Sequence, residues 1–117
     1  MAKGRTSYHC GIDAAVDVVG GKWKPHILWA LNDGTRRFGE LKRQVEGVSE
    51  KVLIQQLREL EADGIVHREV YGEVPPRVEY SLTELGKALN TALEPLGAWG
   101  STFMSEIIAN KQSTSVT

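Results

Sequence analysis

Phe38 to Gly64 reads FGELKRQVEGVSEKVLIQQLRELEADG, and the spacing of its apolar residues decides the fold. Phe38, Leu41 and Val45 recur at i, i+3 and i+7, which marks a short helix ending at Glu46-Gly47. Ser49 opens a second helix, because its hydroxyl can accept from an orphan backbone N–H in the next turn, and Asp63-Gly64 closes it. Leu53, Leu57 and Leu60 form its core stripe. Only Glu46-Gly47-Val48 separates the two helices, a spacing that fits a helix-turn-helix whose second member can lie in a major groove. At about 100 degrees per residue, Lys51, Gln55 and Arg58 fall on the face opposite the leucines, and Ala62 continues that stripe. Lysine and arginine can bond guanine or phosphate, glutamine can pair with adenine, and alanine leaves clearance for close approach. Any surface helix turns polar residues outward, so the stripe alone does not separate a DNA reader from an ordinary solvated helix.

Upstream, Gly11 to Val19 places Ile12, Ala15, Val16 and Val19 at helical spacing before the Gly20-Gly21 stop. Lys22 to Asn32 forms another helix, with Trp23, Ile27, Ala30 and Leu31 on one face, Pro25 tolerated in the opening turn and Asp33-Gly34 at the end. Thr35-Arg36-Arg37 is short enough to be a connector or a single strand pairing. Downstream, Val66, Arg68 and Val70 alternate with His67, Glu69 and Tyr71, and Val78, Tyr80 and Leu82 alternate with Arg77, Glu79 and Ser81. These are two strands of a hairpin. Between them Gly72-Glu73-Val74-Pro75-Pro76 cannot continue a ladder, since neither proline has an N–H to donate. Thr83 caps a last helix whose Leu85, Leu89, Leu93, Leu96, Trp99, Phe103 and Ile107 carry apolar contacts to about Ala109. The expected fold is mainly α with a small β-hairpin, an α+β winged helix-turn-helix. One domain spans residues 10–109, between a flexible arm at 1–9 and a disordered polar tail at 110–117.

Composition bounds what such a fold does. A chain of 117 residues builds one core rather than two. Its longest apolar runs fall short of a bilayer span, and no apolar stretch follows the basic start Met1-Ala2-Lys3-Gly4-Arg5, so the expectation is a cytoplasmic protein without a membrane segment. The net charge of −1 gives nucleic acid no support by itself. Between Arg36 and Arg58, however, six cations face three carboxylates, and Arg36, Arg37 and Lys42 become candidates for the DNA backbone. His9, His26 and His67 are dispersed, with no spacing that assembles a metal site. Gly20-Gly21-Lys22 is no phosphate loop: the upstream glycine is missing and Trp23 stands where a hydroxyl is required. No nucleophile, base and carboxylate can be grouped into catalytic machinery, so neither an enzyme nor a cofactor is expected.

The proline-stiffened loop, with Arg77 beside it and Arg68 on the adjoining strand, can reach a DNA backbone or minor groove as a wing. The plainer alternative is an edge hairpin whose prolines prevent edge-to-edge pairing. Several stretches together resemble the HxlR family of regulators over residues 10–100. They are Gly20-Gly21-Lys22-Trp23, Arg37-Phe38-Gly39-Glu40-Leu41, Leu57-Arg58-Glu59-Leu60-Glu61-Ala62-Asp63-Gly64, Val74-Pro75-Pro76-Arg77-Val78-Glu79-Tyr80, and Leu96 with Trp99-Gly100. The wing segment is the most specific of these. The resemblance implies a homodimer that binds double-stranded DNA, with the helix from Ser49, carrying Lys51, Gln55 and Arg58, as recognition helix, the hairpin as wing, and the first and last helices as dimer interface. It implies either repression or activation.

Cys10 is the only cysteine, which leaves a packed thiol, a reactive thiol or a bridge to another chain. It precedes the first helix, where N–H dipoles favour a thiolate, and His9 is adjacent. Some members of the resembling family sense electrophiles or oxidants at about this place, which makes a small-molecule effector acting at Cys10 a candidate. The competing function from another class is a winged-helix protein-interaction module that docks partners without reading DNA, and the near-neutral charge favours it slightly.

Overall fold

The computed structural model describes residues 7–116. Five helices and three short strands follow one another as α1 (Gly11–Val19), α2 (Lys24–Ala30), β1 (Arg36–Arg37), α3 (Phe38–Gln44), α4 (Glu50–Ala62), β2 (Val66–Tyr71), β3 (Arg77–Leu82) and α5 (Glu84–Val116). The local chemistry that starts and stops them is visible at each end. Ser49 Oγ accepts from the Val52 N–H at 3.2 Å and caps α4. Gly47, between α3 and α4, adopts φ +90°, a conformation that side chains with a Cβ rarely reach, which makes the tight turn possible. Thr83 Oγ1 accepts from the Gly86 N–H at 3.0 Å while donating to the Gly64 carbonyl at 2.6 Å, so one hydroxyl caps α5 and ties it to the end of α4.

Arg36-Arg37 turns out to be a strand. β1 pairs with β3 and β3 with β2, all antiparallel, in the order β1-β3-β2, so the hairpin is widened into a three-stranded sheet. Its even-numbered residues face the helices: Val66 and Tyr80 are buried, and Val78 and Leu82 lie against the core. That core joins Ile27 and Leu28 of α2, Leu31 at its C-cap, Leu41 of α3, and Leu53, Leu57 and Leu60 of α4, each at most 2% exposed. Gly86 marks where α5 enters. A Cβ there would fall inside contact distance of the Ile65 carbonyl, so only glycine lets the helix approach β2 so closely.

The two ends of the chain depart from the pattern of the middle. Tyr8 and His9, assigned to a loose arm, are bonded to α1: the Tyr8 hydroxyl donates to Asp17 Oδ2 at 2.6 Å and the His9 N–H to Asp13 Oδ2 at 3.1 Å. The first six residues of that arm lie outside the described residues. α5 does not stop near Ala109 but runs to Val116, because neither glycine nor proline follows Ala109 to end it. Pro95 lies inside it and withholds the N–H that would otherwise reach the Thr91 carbonyl.

Candidate nucleic-acid interface

The helix-turn-helix leaves one side of α4 open. Lys51, Gln55, Arg58 and Ala62 are all exposed, opposite Leu53, Leu57 and Leu60, which are at most 1% exposed. Four side chains one turn apart therefore share a single accessible stripe, about the reach of a few base pairs in a major groove. Ser49 stands at its N-terminal end with its oxygen engaged in the cap. The hydroxyl hydrogen stays available to a phosphate. Gln55 Nε2 faces Glu59 Oε2 one turn later at 3.5 Å, the long limit of a hydrogen bond.

On the sheet the two wing arginines separate. Arg68 pairs across the ladder with Tyr80, and Arg77 with Tyr71, so register places them on opposite faces. Arg68 lies on the helix side, 3.6 Å from Glu61 of α4. With Arg58, Glu50, Ile54 and Tyr80 it lines a depression of about 430 Å³ between α4 and the sheet. Burial pushes the Tyr80 hydroxyl above its usual range at the floor of that depression. Arg77 lies on the outer face, its guanidinium 4.1 Å from the Tyr71 ring centroid and its nitrogens 3.2 Å from Glu73 and 3.5 Å from Glu79. Glu79 in turn holds the Tyr71 hydroxyl above its usual range.

The remaining candidate cations divide in the same way. Arg36 sits opposite Tyr80 and Arg37 opposite Glu79, so adjacent arginines look to different sides. Arg36 is half-buried, donating from Nη1 to its own Thr35 carbonyl at 3.0 Å, and its Nε is buried without a partner. Arg37 is exposed, and its backbone N–H donates to Glu40 Oε1 at 2.8 Å, which closes the first turn of α3. Lys42 is exposed on α3. The structure thus gathers Lys51, Gln55 and Arg58 on one stripe, with Arg68 beside it, and leaves Arg77 and Arg37 on the outer face of the sheet.

Away from this surface, Cys10 is exposed and serves as N-cap of α1, its carbonyl accepting from the Ala14 N–H at 3.2 Å. No residue of α1 is buried. Ile12 and Val16 on α1 are more than half exposed, as are Leu96, Trp99 and Met104 on α5, so both helices carry bare apolar surface. A groove of about 350 Å³ lined by Pro25, His26, Trp29, Leu93, Leu96 and Gly97 runs between α2 and α5. Among the described residues no cluster of three or more His, Cys, Asp or Glu side chains could hold a metal, and no helix is long and apolar enough to cross a membrane.

Two buried polar residues escape a reading based on periodicity. Lys24 is 6% exposed on the face of α2 that carries Ile27, Leu28 and Leu31, and its Nζ lies 2.6 Å from Glu59 Oε1. Asn90 is 2% exposed on α5 and donates to the Leu28 carbonyl at 2.8 Å and Asn32 Oδ1 at 3.2 Å, which fastens α5 to the end of α2. A signal for Lys24 exists: it precedes Ile27, Leu28 and Leu31 by three, four and seven residues, so a lysine occupies an apolar stripe. Asn90 follows Leu89 and offers none.

The model of the HxlR-like helix-turn-helix matches residues 18–108. An uncharacterized HTH-type transcriptional regulator of Bacillus subtilis, YtcD, is 46% identical over 103 residues, covering 88% of this chain and 82% of its own length. The reduced form of the redox regulator HypR superposes with a TM-score of 0.81 at 44% identity, covering 86% of this chain and 99% of that one. Diamide-treated YodB of Bacillus subtilis gives a TM-score of 0.69 at 36% identity, covering 83% and 97%. With a short turn between α3 and α4, an open stripe on α4, a hairpin wing and these likenesses, the chain belongs to the HxlR-like helix-turn-helix family of transcriptional regulators.

Proposed function

We propose that the chain binds a palindromic operator in double-stranded DNA as a homodimer, with α4 in the major groove and the hairpin following the backbone. The observation that carries this reading is the exposed Lys51, Gln55 and Arg58 stripe opposite a closed leucine core. Arg58 and Lys51 supply donors for guanine or phosphate, and Gln55 supplies a donor and an acceptor for adenine. Ser49 opens the recognition helix, Arg68 and Arg77 belong to the wing, and Arg36, Arg37 and Lys42 meet the DNA backbone and set register rather than sequence. Bare apolar surface on α1 and α5 supplies the dimer contact, and two copies place their α4 helices about one helical turn of DNA apart, roughly 34 Å. A gel shift against genomic fragments with competitor DNA tests the reading. A fragment retained over competitor supports it, while no site preference identifies a protein-interaction module instead.

A second element of the reading concerns Cys10 and places the protein in the cytoplasm, where a free thiol persists. The thiol is exposed at the N-terminus of α1, beside the apolar surface assigned to the dimer, and two similar structures are a redox regulator and a diamide-treated protein. Diamide oxidises two Cys10 thiols of a dimer to one disulfide and is itself reduced to the hydrazine, whereas a quinone alkylates a single thiol. Either change shifts the spacing of the α4 helices and releases the operator. Operator affinity that is equal with and without oxidant in wild type and Cys10→Ser rejects this element.

A further inference from the structure

Lys24 on α2 reaches across to Glu59 on α4. Its side chain is 8% exposed, and its ammonium lies 2.6 Å from Glu59 Oε1. An ammonium removed from water needs a carboxylate held in place, so the pair limits the rotamers open to Glu59. The other oxygen, Glu59 Oε2, accepts from Gln55 Nε2 one turn earlier on the exposed stripe, at 3.5 Å. A carboxylate can only accept, so it draws the NH₂ of the glutamine toward itself and turns the amide oxygen away. One N–H and the carbonyl oxygen of Gln55 then remain for a partner, the complement of adenine N7 and N6. Buried lysine, half-exposed glutamate and exposed glutamine form a chain from the core of α2 to the surface of α4.

We propose that Lys24 and Glu59 are positioning residues that set the base preference at the one operator position read by Gln55. This rests on Gln55 being a base reader. With the carboxylate fixed, the amide has one orientation and selects adenine. Without it the amide rotates, and its NH₂ alone serves the acceptors of guanine or thymine. The consequence is broadened preference at a single position, whereas a purely structural pair would lower affinity at every position alike.

The test is selection of duplexes from a randomised pool, followed by sequencing, with wild type, Gln55→Ala, Glu59→Gln, Lys24→Met and Lys24→Arg. Glu59→Gln keeps the shape of the side chain but can donate as well as accept. Lys24→Met keeps the apolar stem and removes the charge. Both are expected to lower the preference for adenine at one position by about fivefold or more, to leave the other positions unchanged, and to retain the helical content of the wild type. Lys24→Arg, which restores the cation, is expected to recover the preference. Should Lys24→Met fail to fold, Glu59→Gln and Lys24→Arg decide the matter. If Gln55→Ala alters one position while Glu59→Gln leaves it intact or weakens all positions equally, the positioning role is overturned and base reading by Gln55 stands. If Gln55→Ala alters no position, the base-reading assignment falls and the positioning role with it.

Discussion

Leu53, Leu57 and Leu60 on α4 are at most 1% exposed, whereas Leu96, Trp99 and Phe103 on α5 are 62%, 55% and 41% exposed. The two stripes are equally apolar and both follow helical spacing, so periodicity alone gives them the same meaning. What differs is the opposite wall. α4 is enclosed by α2, α3 and the sheet, while α5 has packed Leu89 and Leu93 against the core and then runs on beyond it in a molecule 56 Å long. The first stripe reports this chain's own core, and the second is bare apolar surface, the one assigned to the proposed dimer.

Substitutions on the two stripes should therefore behave differently. Leu57→Ala is expected to lower unfolding stability by about 2–5 kcal/mol, because the walls around it cannot close over the lost volume. Chemical denaturation at low and high protein concentration should give the same loss. Trp99→Glu should instead leave helical content intact and move the protein from dimer to monomer in sedimentation at micromolar concentration. A wild type that sediments as a stable monomer would remove the basis for that contrast, and for the palindromic operator.

Glycine tests the same contrast with smaller effects. Gly86→Ala forces a methyl against the Ile65 carbonyl and is expected to cost about 1–3 kcal/mol in thermal unfolding. At Gly97, within α5, a Cβ meets nothing within 4 Å in a single chain. Gly97→Ala should stabilise an isolated chain by about 0.5–1 kcal/mol through helix propensity. Weakened self-association in that variant would show that a second chain covers the groove between α2 and α5.

The cations sharpen a comparison between an open charge on α3 and a paired one on the sheet. Lys42→Ala is expected to weaken binding to all DNA sequences and to reduce the slope of log affinity against log salt by about one unit. Arg77→Ala should reduce it by less, because Glu73 and Glu79 already meet part of the Arg77 charge. Equal slopes for the two variants would mean that Arg77 leaves its carboxylates when DNA binds.

The pattern of the sequence carries the middle of this fold well. Residues Glu50–Ala62 form a helix, capped by Ser49 and closed on three leucines, where spacing and capping chemistry both point. Strand bounds also follow from alternation, as at Val66–Tyr71. Legibility fails where a long-range partner decides. β1 forms because β3 is opposite it, and two residues hold no period of their own. Arg68 and Arg77 read alike as wing cations until strand register sends them to opposite faces. Lys24 and Glu59 lie 35 positions apart and become a pair only when α2 packs on α4. α5 continues beyond Ala109, where apolar spacing ends and neither glycine nor proline stops it.

Whether α4 reads DNA through its exposed stripe comes down to one ratio. The affinity for the duplex selected from a random pool is divided by the affinity for a scrambled duplex of equal length, at fixed salt, for wild type and for the combined Lys51→Ala, Gln55→Ala and Arg58→Ala variant. Each base contact is worth about 1–3 kcal/mol of discrimination, so the ratio should collapse toward one in the variant while its melting temperature and dimer state remain those of wild type. A ratio unchanged by the three substitutions would rule out reading by α4 and move it to another surface of the molecule.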